Sequence, residues 1–458
     1  FYSTTNQKDK ALTEFQSLVS ARPKDVSVKA SLVETLLDLG RIDEAASLAR
    51  TALKENPADP RLLLSNGRIL IGEGKPQEAI DTLQSLTKAD PTSAAGFYFL
   101  GVAQKAGGFS TTARSSFSRA LELSPRMSQA AAAIASLDLE KGDHNQAMRQ
   151  SDRAVETNPD LASGYVTRAR AMIAQGNLRE GELVLRDALK RDPVSLPALA
   201  TLLNIAASQG RTADAVQQIS GLLKQHPENA GLHFLQALGE FTLGDLDRSE
   251  AGVRQALAID KKTPDAYTLL ANIDFARGSI EKGKSDLRAA IAANPRKSAN
   301  YVALGTQFEK EKNWEEARKL FEKAHEADAS APLICAELAF LYLEHGGDVN
   351  VAVSLAQTAK RTMPESPITS DALGWAYYKL GSTDLAINEL KESARKVPDN
   401  AVYQYHLGMA YMTAHRFEAA TGYLQRALRN GPNSLYAEDA RAALKKMARA
   451  GGAGGPVL

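Results

Sequence analysis

Eight residues spell out a phosphate-binding pattern. Gly278-Ser279-Ile280-Glu281-Lys282-Gly283-Lys284-Ser285 matches G-x-x-x-x-G-K-S. In a working phosphate loop the glycines let backbone N–H groups close on the anion, and the lysine reaches the outer phosphates. That chemistry requires a hydrophobic strand before the loop. Here the preceding stretch, Leu269 to Ala276, has the spacing of a helix. Gly278 then reads as a turn between helices and Gly283 as a small packing residue. Lys284 is expected on a solvated turn of helix, where its removal would leave stability nearly unchanged. No nucleotide site is expected.

Other reactive types are dispersed. The seven histidines, His144, His226, His233, His325, His345, His406 and His415, form no H-E-x-x-H pair or other metal-ligand spacing. There is no G-x-S-x-G nucleophile elbow. Cys335 is the only cysteine, which excludes internal disulfides and cysteine-rich zinc sites. In a helical register it reads as a buried, inert thiol. Carboxylates are abundant, but at positions that read as solvated helix faces. No catalytic, cofactor-binding or metal-binding residues are expected, and the chain is not expected to be an enzyme.

The elements beneath these residues repeat. Pro398 and Pro432 lie 34 residues apart, and Pro23, Pro57, Pro91, Pro125, Pro159, Pro193, Pro227, Pro295 and Pro364 fall at the same step or its multiples, with one extra residue near Gly346-Gly347. Lys261 and Ala329 replace the proline in two units, with Pro264 and Pro332 just downstream. A glycine precedes the second helix of most units: Gly40, Gly74, Gly108, Gly142, Gly176, Gly210, Gly244, Gly278, Gly346 and Gly381. A small residue recurs early in the second helix, from Ala11 and Ala45 through Gly283 to Ala420. Another recurs in the first helix, as in Gly67, Gly101, Gly305, Gly374 and Gly408. Small side chains at both positions allow two helices to approach closely. Val33 and Leu203 break the first-helix rule, so packing in those units is expected to differ. A fixed period of this length means a stacked array.

Leu373-Gly374-Trp375-Ala376-Tyr377, with Gly381, Ala386, Leu390 and Pro398, is the clearest copy, and on these positions the chain resembles the tetratricopeptide repeat family. The resemblance implies an all-α, right-handed superhelical solenoid of helix–turn–helix repeats. Residues 1–25 read as a partial first repeat in which Tyr2 is the late aromatic of a first helix, leaving Leu12, Phe15 and Leu18 poorly covered. Residues 26–433 are expected to form twelve repeats in one solenoid, 434–449 a capping helix, and 450–458 a flexible tail. The partial first repeat suggests a segment of a longer or processed protein, or an edge covered by another subunit.

The resemblance also implies that first helices line a concave groove where partners bind. The groove positions of the first half are Arg61, Arg68, Tyr98, Lys105, Arg170 and Asn204. Those of the second half are Phe234, Leu238, Phe241, Asn272, Phe275, Phe340, Leu343, Trp375, Tyr378, Tyr405, Met409 and Met412. Two readings compete for each: core between adjacent helices, or contact surface. Aromatics and methionines in a row suit a partner helix or extended peptide. The lysine–asparagine clamp that some family members use on a C-terminal carboxylate is not matched.

Lys+Arg 55 against Asp+Glu 54 leaves a net charge of +1, so no global field attracts nucleic acid. The longest apolar run, Ala331 to Leu343, is interrupted by Glu337 and is too short to span a membrane. No signal peptide is visible in this segment. The expected partner is a protein or peptide, with self-association into a head-to-tail array as one alternative and an interaction segment of a larger enzyme as another. Tyr342-Leu343-Glu344-His345-Gly346-Gly347-Asp348 and Asp371-Ala372-Leu373-Gly374-Trp375 look similar to bacterial repeat proteins of exopolysaccharide and exosortase-linked systems. That likeness favours a bacterial periplasmic or cell-surface location over the cytoplasm.

Overall fold

A computed structural model describes residues 8–263 and 265–452. Tyr2 and residues 453–458 lie outside the described residues. No strand occurs among the described residues, and the helices alternate as paired first and second helices from Val26–Asp38 and Ile42–Glu55 to Ala401–Thr413 and Phe417–Asn430. The fold is an all-α solenoid of stacked helix–turn–helix repeats. Two compact units divide the chain after Thr263.

The pairing rule is steric. The small residue of the first helix receives the side chain found 16 residues later, on the second helix. A Cβ built on Gly67 would lie 2.6 Å from Leu83 Cγ, and one on Gly101 2.6 Å from the Phe117 ring. In the second unit the same holds for Gly305 with Phe321, Gly374 with Leu390 and Gly408 with Leu424. The large partners Leu83, Phe117, Phe321, Leu390 and Leu424 are all buried.

The two departures from the rule resolve differently. Val33 faces Ala49, so volume simply moves from one helix to the other, and both are buried. Leu203 and Ile219 hold the corresponding positions of their repeat, and both are large and buried. The second helix of that pair, Thr212–Leu223, is short and leaves Ala215 only half-buried, whereas the equivalent Ala45, Ala79 and Ala113 are fully buried. A cleft of about 430 Å³ opens beside it, with Leu189, Leu202, Ala206 and Ala215 among its lining.

Turn chemistry follows the sequence closely. All ten expected glycines have positive φ. At Gly142 (φ 83°) and Gly381 (φ 86°) this left-handed residue closes the first helix, donating its N–H to Leu139 and Tyr378 respectively. Lys312 (φ 58°) and His415 (φ 57°) take the same conformation in the two repeats that lack the glycine. The extra residue of the longer turn is Gly347, which passes so close to Tyr342 that a Cβ would lie 2.1 Å from the ring. Arg318 Nη1 donates 2.7 Å to the Gly346 carbonyl and ties this turn to the previous repeat.

The ends differ from expectation. Leu12 is buried and Phe15 half-buried against Val26–Asp38, leaving Leu18 the exposed member of that trio. The terminal helix runs Ala437–Gly452, starting and ending later than the expected 434–449, so the first residues of the expected tail are helical. Tyr436, Ala440, Ala443 and Met447 join the core of the last repeats. Leu435 stays 75% exposed.

Two substitutions test the packing account. Gly374→Ala meets Leu390, whose backbone N would be 3.0 Å away and cannot rotate aside; denaturant unfolding is expected to show a loss of about 1–3 kcal/mol. Lys312→Gly removes a left-handed lysine and is expected to gain about 0.5–1 kcal/mol. A neutral Gly374→Ala would refute the close-approach rule.

Candidate functional site

The phosphate-loop match is dismantled by its surroundings. The preceding element is the helix Ala266–Ala276, and Ser279 leads directly into the helix Ile280–Ala293. Gly283 lies under Phe275, whose ring would be 2.4 Å from an added Cβ. Lys282 pairs with buried Asp274 at 2.8 Å. Lys284 corrects the sequence expectation, because it is not solvated. It is 4% exposed, donates to Glu281 (2.6 Å) and Glu311 (2.8 Å), and sits 4.8 Å from the Phe308 ring centroid. Those hydrogen bonds hold its pKa above the ordinary lysine value. The amino group is already committed to joining adjacent repeats.

Cys335 is fully buried, 3.6 Å from His325 Nδ1, and burial pushes its thiol pKa up. Among the described residues no group of three or more His, Cys, Asp and Glu side chains is placed to hold a metal ion. No helix among them is long and apolar enough to cross a membrane.

In the first unit the inward cations are mostly neutralised by the array itself. Arg61 bonds Glu34 (2.9 Å) and Ser31. Lys105 bonds Glu140 (2.8 Å) and Ser136. Arg68 lies over the Phe99 ring at 5.4 Å. Tyr98 packs edge-on to Phe99 and against Phe117, and burial raises its pKa. Arg170 and Asn204 are exposed, while Phe234, Leu238 and Phe241 are half-buried.

In the second unit Asn272 is exposed and Phe275 is half-buried on Gly283. Trp375 and Tyr405 are 2% and 6% exposed, so they belong to the core and not to an open groove. Trp375 stacks on His406 (3.9 Å) and on Tyr378 (4.6 Å), and its Nε1 donates 2.6 Å to Glu344. Glu344 also pairs with Lys379 at 3.0 Å. His406 Nδ1 lies 3.0 Å from both oxygens of Asp371, and both residues are fully buried. Tyr405 stacks on Tyr436 at 4.5 Å, which brings in the residue just before the terminal helix. Burial pushes the pKa of Tyr405 and Tyr436 well up, and burial followed by the Asp371 charge takes Tyr403 to about 12. Phe340, Met409 and Met412 are half-buried against this cluster, and Leu343 is buried in it.

Sequence reasoning missed Asp371, His406, Glu344 and Tyr436. It also missed Glu309 and Glu337, from adjacent first helices, both of which are half-buried and have their pKa values raised by burial. Burial, then the Glu337 charge, pushes Glu309 up to about 7. The available signal was a lone carboxylate inside the apolar run Ala331 to Leu343.

Tetratricopeptide repeat family descriptions match residues 36–100 in one case and 4–60, 200–266, 268–332 and 372–434 in another, the latter covering more than half of the chain. No curated protein matches. Among solved structures, the APC/C hetero-tetramer Cut9-Hcn1 matches at 16% identity, covering 97% of this chain and 94% of that one, with a TM-score of 0.45. The MamA protein matches at 22% identity over 37% of this chain and 92% of that one, with a TM-score of 0.32. YrrB, a TPR protein described as having an unusual peptide-binding site, matches at 18% identity over 41% and 96%, with a TM-score of 0.33.

Three measurements follow from this geometry. Lys284→Ala is expected to lower unfolding stability while ATP titration of the parent protein shows no binding; an unchanged stability would return Lys284 to the surface. Trp375→Ala is expected to lose about 3–5 kcal/mol of folding stability, as for a buried aromatic. Glu309 holds a proton in the folded state between about pH 4.5 and 7 that the unfolded chain releases, so its contribution falls as pH rises through that window. Glu309→Gln should therefore raise the melting temperature at pH 8 and change it little at pH 4.

Proposed function

We propose that this chain, which belongs to the tetratricopeptide repeat family, is a non-catalytic protein-interaction scaffold. Its partner is a peptide or helix held against first helices of the unit after Thr263. One observation carries the placement. On the helix Pro332–Glu344 Leu333 is exposed and Glu337 and Phe340 are only half-buried, whereas residues 371–376 and 403–408 are buried. A helix that is apolar nearly all round and yet keeps Leu333 53% exposed has a face left to cover. The wider setting we propose is bacterial envelope or exopolysaccharide assembly, supported by the turn at 342–348 and the stretch 371–375.

The second reading is head-to-tail self-association, and the exposure of Leu435 favours it. The exposed charges of the terminal helix, Glu438, Asp439, Arg441, Lys445, Lys446 and Arg449, oppose it, because a capping face is polar.

A photo-crosslinking residue placed at Leu333 or Phe340 is expected to capture a foreign protein in the source cells, while one at exposed Leu385 on a second helix does not. Equal capture from both faces would overturn the assignment. Capture of only this same chain, with Leu435→Asp abolishing concentration-dependent light scattering, would establish the array instead.

A further inference from the structure

Two turns far apart in the sequence meet within the first unit. Lys262 Nζ donates to the Glu73 carbonyl oxygen at 3.2 Å, across 189 positions, more than five times the 34-residue step of the prolines. Other polar contacts of this unit join neighbouring helix pairs, as Arg61 does with Glu34, Lys105 with Glu140 and Arg114 with Asp138. An array in which each repeat touches only its neighbours makes no contact at that separation. It requires the unit to coil until one turn lies against another.

Glu73 directly follows the helix Pro60–Gly72, so its carbonyl belongs to a helix C-terminus, the negative end of the dipole. Its carboxylate accepts from Arg50 at 2.6 Å and from Lys75 at 2.7 Å, and these bonds, the one from Lys75 foremost, hold its pKa below the ordinary carboxylate value. Three cations thus gather on one residue. Lys262 is drawn to the carbonyl and held off by Arg50 and Lys75. It is also exposed, so its hold is weak and screened by salt. The backbone that carries it is fixed: the Lys262 N–H donates to Asp260 Oδ1 at 2.8 Å, and buried Thr263 donates its hydroxyl to the Asp260 carbonyl at 2.7 Å. Only the lysine side chain has to let go.

We propose that Lys262 on Glu73 is an electrostatic latch, which holds the coil of the first unit closed on itself and opens as ionic strength rises. Small changes of angle between successive repeats add up along the array, so the two turns part without any repeat unfolding. Closed, they bar sideways entry of another chain into the space the coil surrounds; open, they admit it. The latch concerns the first unit alone and does not depend on the partner site placed after Thr263.

The test uses the whole chain. At low salt a short bis-succinimidyl linker, followed by mass spectrometry of the digest, is expected to join Lys75 to Lys262. At about 1 M salt, where charges are screened within about 3 Å, that product should be lost. The second measurement is double electron–electron resonance between nitroxides on cysteines placed at exposed Gln84 and Lys261, with Cys335→Ala removing the native thiol. One narrow distance distribution is expected at low salt. It should lengthen and broaden at high salt and in Lys262→Ala, while that variant keeps the helical circular dichroism of the parent. Lys224→Ala, at another exposed lysine of the same unit, should leave it narrow. No Lys75–Lys262 product at low salt, a broad distribution in the parent, a narrow one that survives Lys262→Ala or high salt, or equal broadening in Lys224→Ala would each overturn the latch.

Discussion

The close approach of two helices over a residue with little or no side chain is the constraint on which this structure depends. Where Gly67, Gly101, Gly305, Gly374 or Gly408 stands, a leucine or phenylalanine from the second helix fills the space a Cβ would occupy. Dense packing of this kind leaves no room for a methyl group without moving the backbone. Once that distance is set, the next repeat can stack and bury its own small residue. Val33 with Ala49 shows that the sum of the two volumes matters more than which helix carries it. In the repeat where Leu203 and Ile219 are both large, the second helix is short, Ala215 is half-uncovered, and a cleft opens beside it. That cleft is a packing consequence. Three of its cations are paired, Arg186 and Arg211 with Glu182 and Lys190 with Asp187.

Much of this was legible in the sequence because the signals are local. A turn that needs a left-handed residue selects glycine, so ten glycines announced ten turns. The period placed the helices, and the small residues placed their contacts. Lys312 and His415 were silent because the surrounding helices impose the same conformation on a residue that does not advertise it. Lys284 was misread for a related reason. Its helix position seemed solvated within its own repeat, but Glu311 and Phe308 come from the following pair and enclose it.

The candidate site was least legible. The repeat pattern puts corresponding first-helix positions in one register, and it does not say whether a given position is open. Trp375 and Tyr405 share their register with exposed Arg68 and half-buried Phe234. They are buried because neighbouring repeats bring His406 and Glu344 against the indole, and because Tyr436 lays its ring on Tyr405. None of these partners is a neighbour in sequence, and Tyr436 comes from beyond the last full repeat.

The buried polar groups of the last repeats explain where the open surface must lie. Removing Asp371 and His406 from water is costly, and the bond through His406 Nδ1 together with the aromatic faces around it offsets part of that cost. Asp371 accepts from His406, and Trp375 covers the imidazole while anchoring itself to Glu344. A partner entering there would have to break this network and leave charges unpaired, which is costly in a dry interior. The helices Ser298–Lys310 and Pro332–Glu344 present the opposite situation. Glu309 and Glu337 are only half-buried there, and Leu333 is about half exposed. In the last repeats the aromatic cluster closes on its own side chains, and His406 Nε2 is left buried without a hydrogen-bond partner.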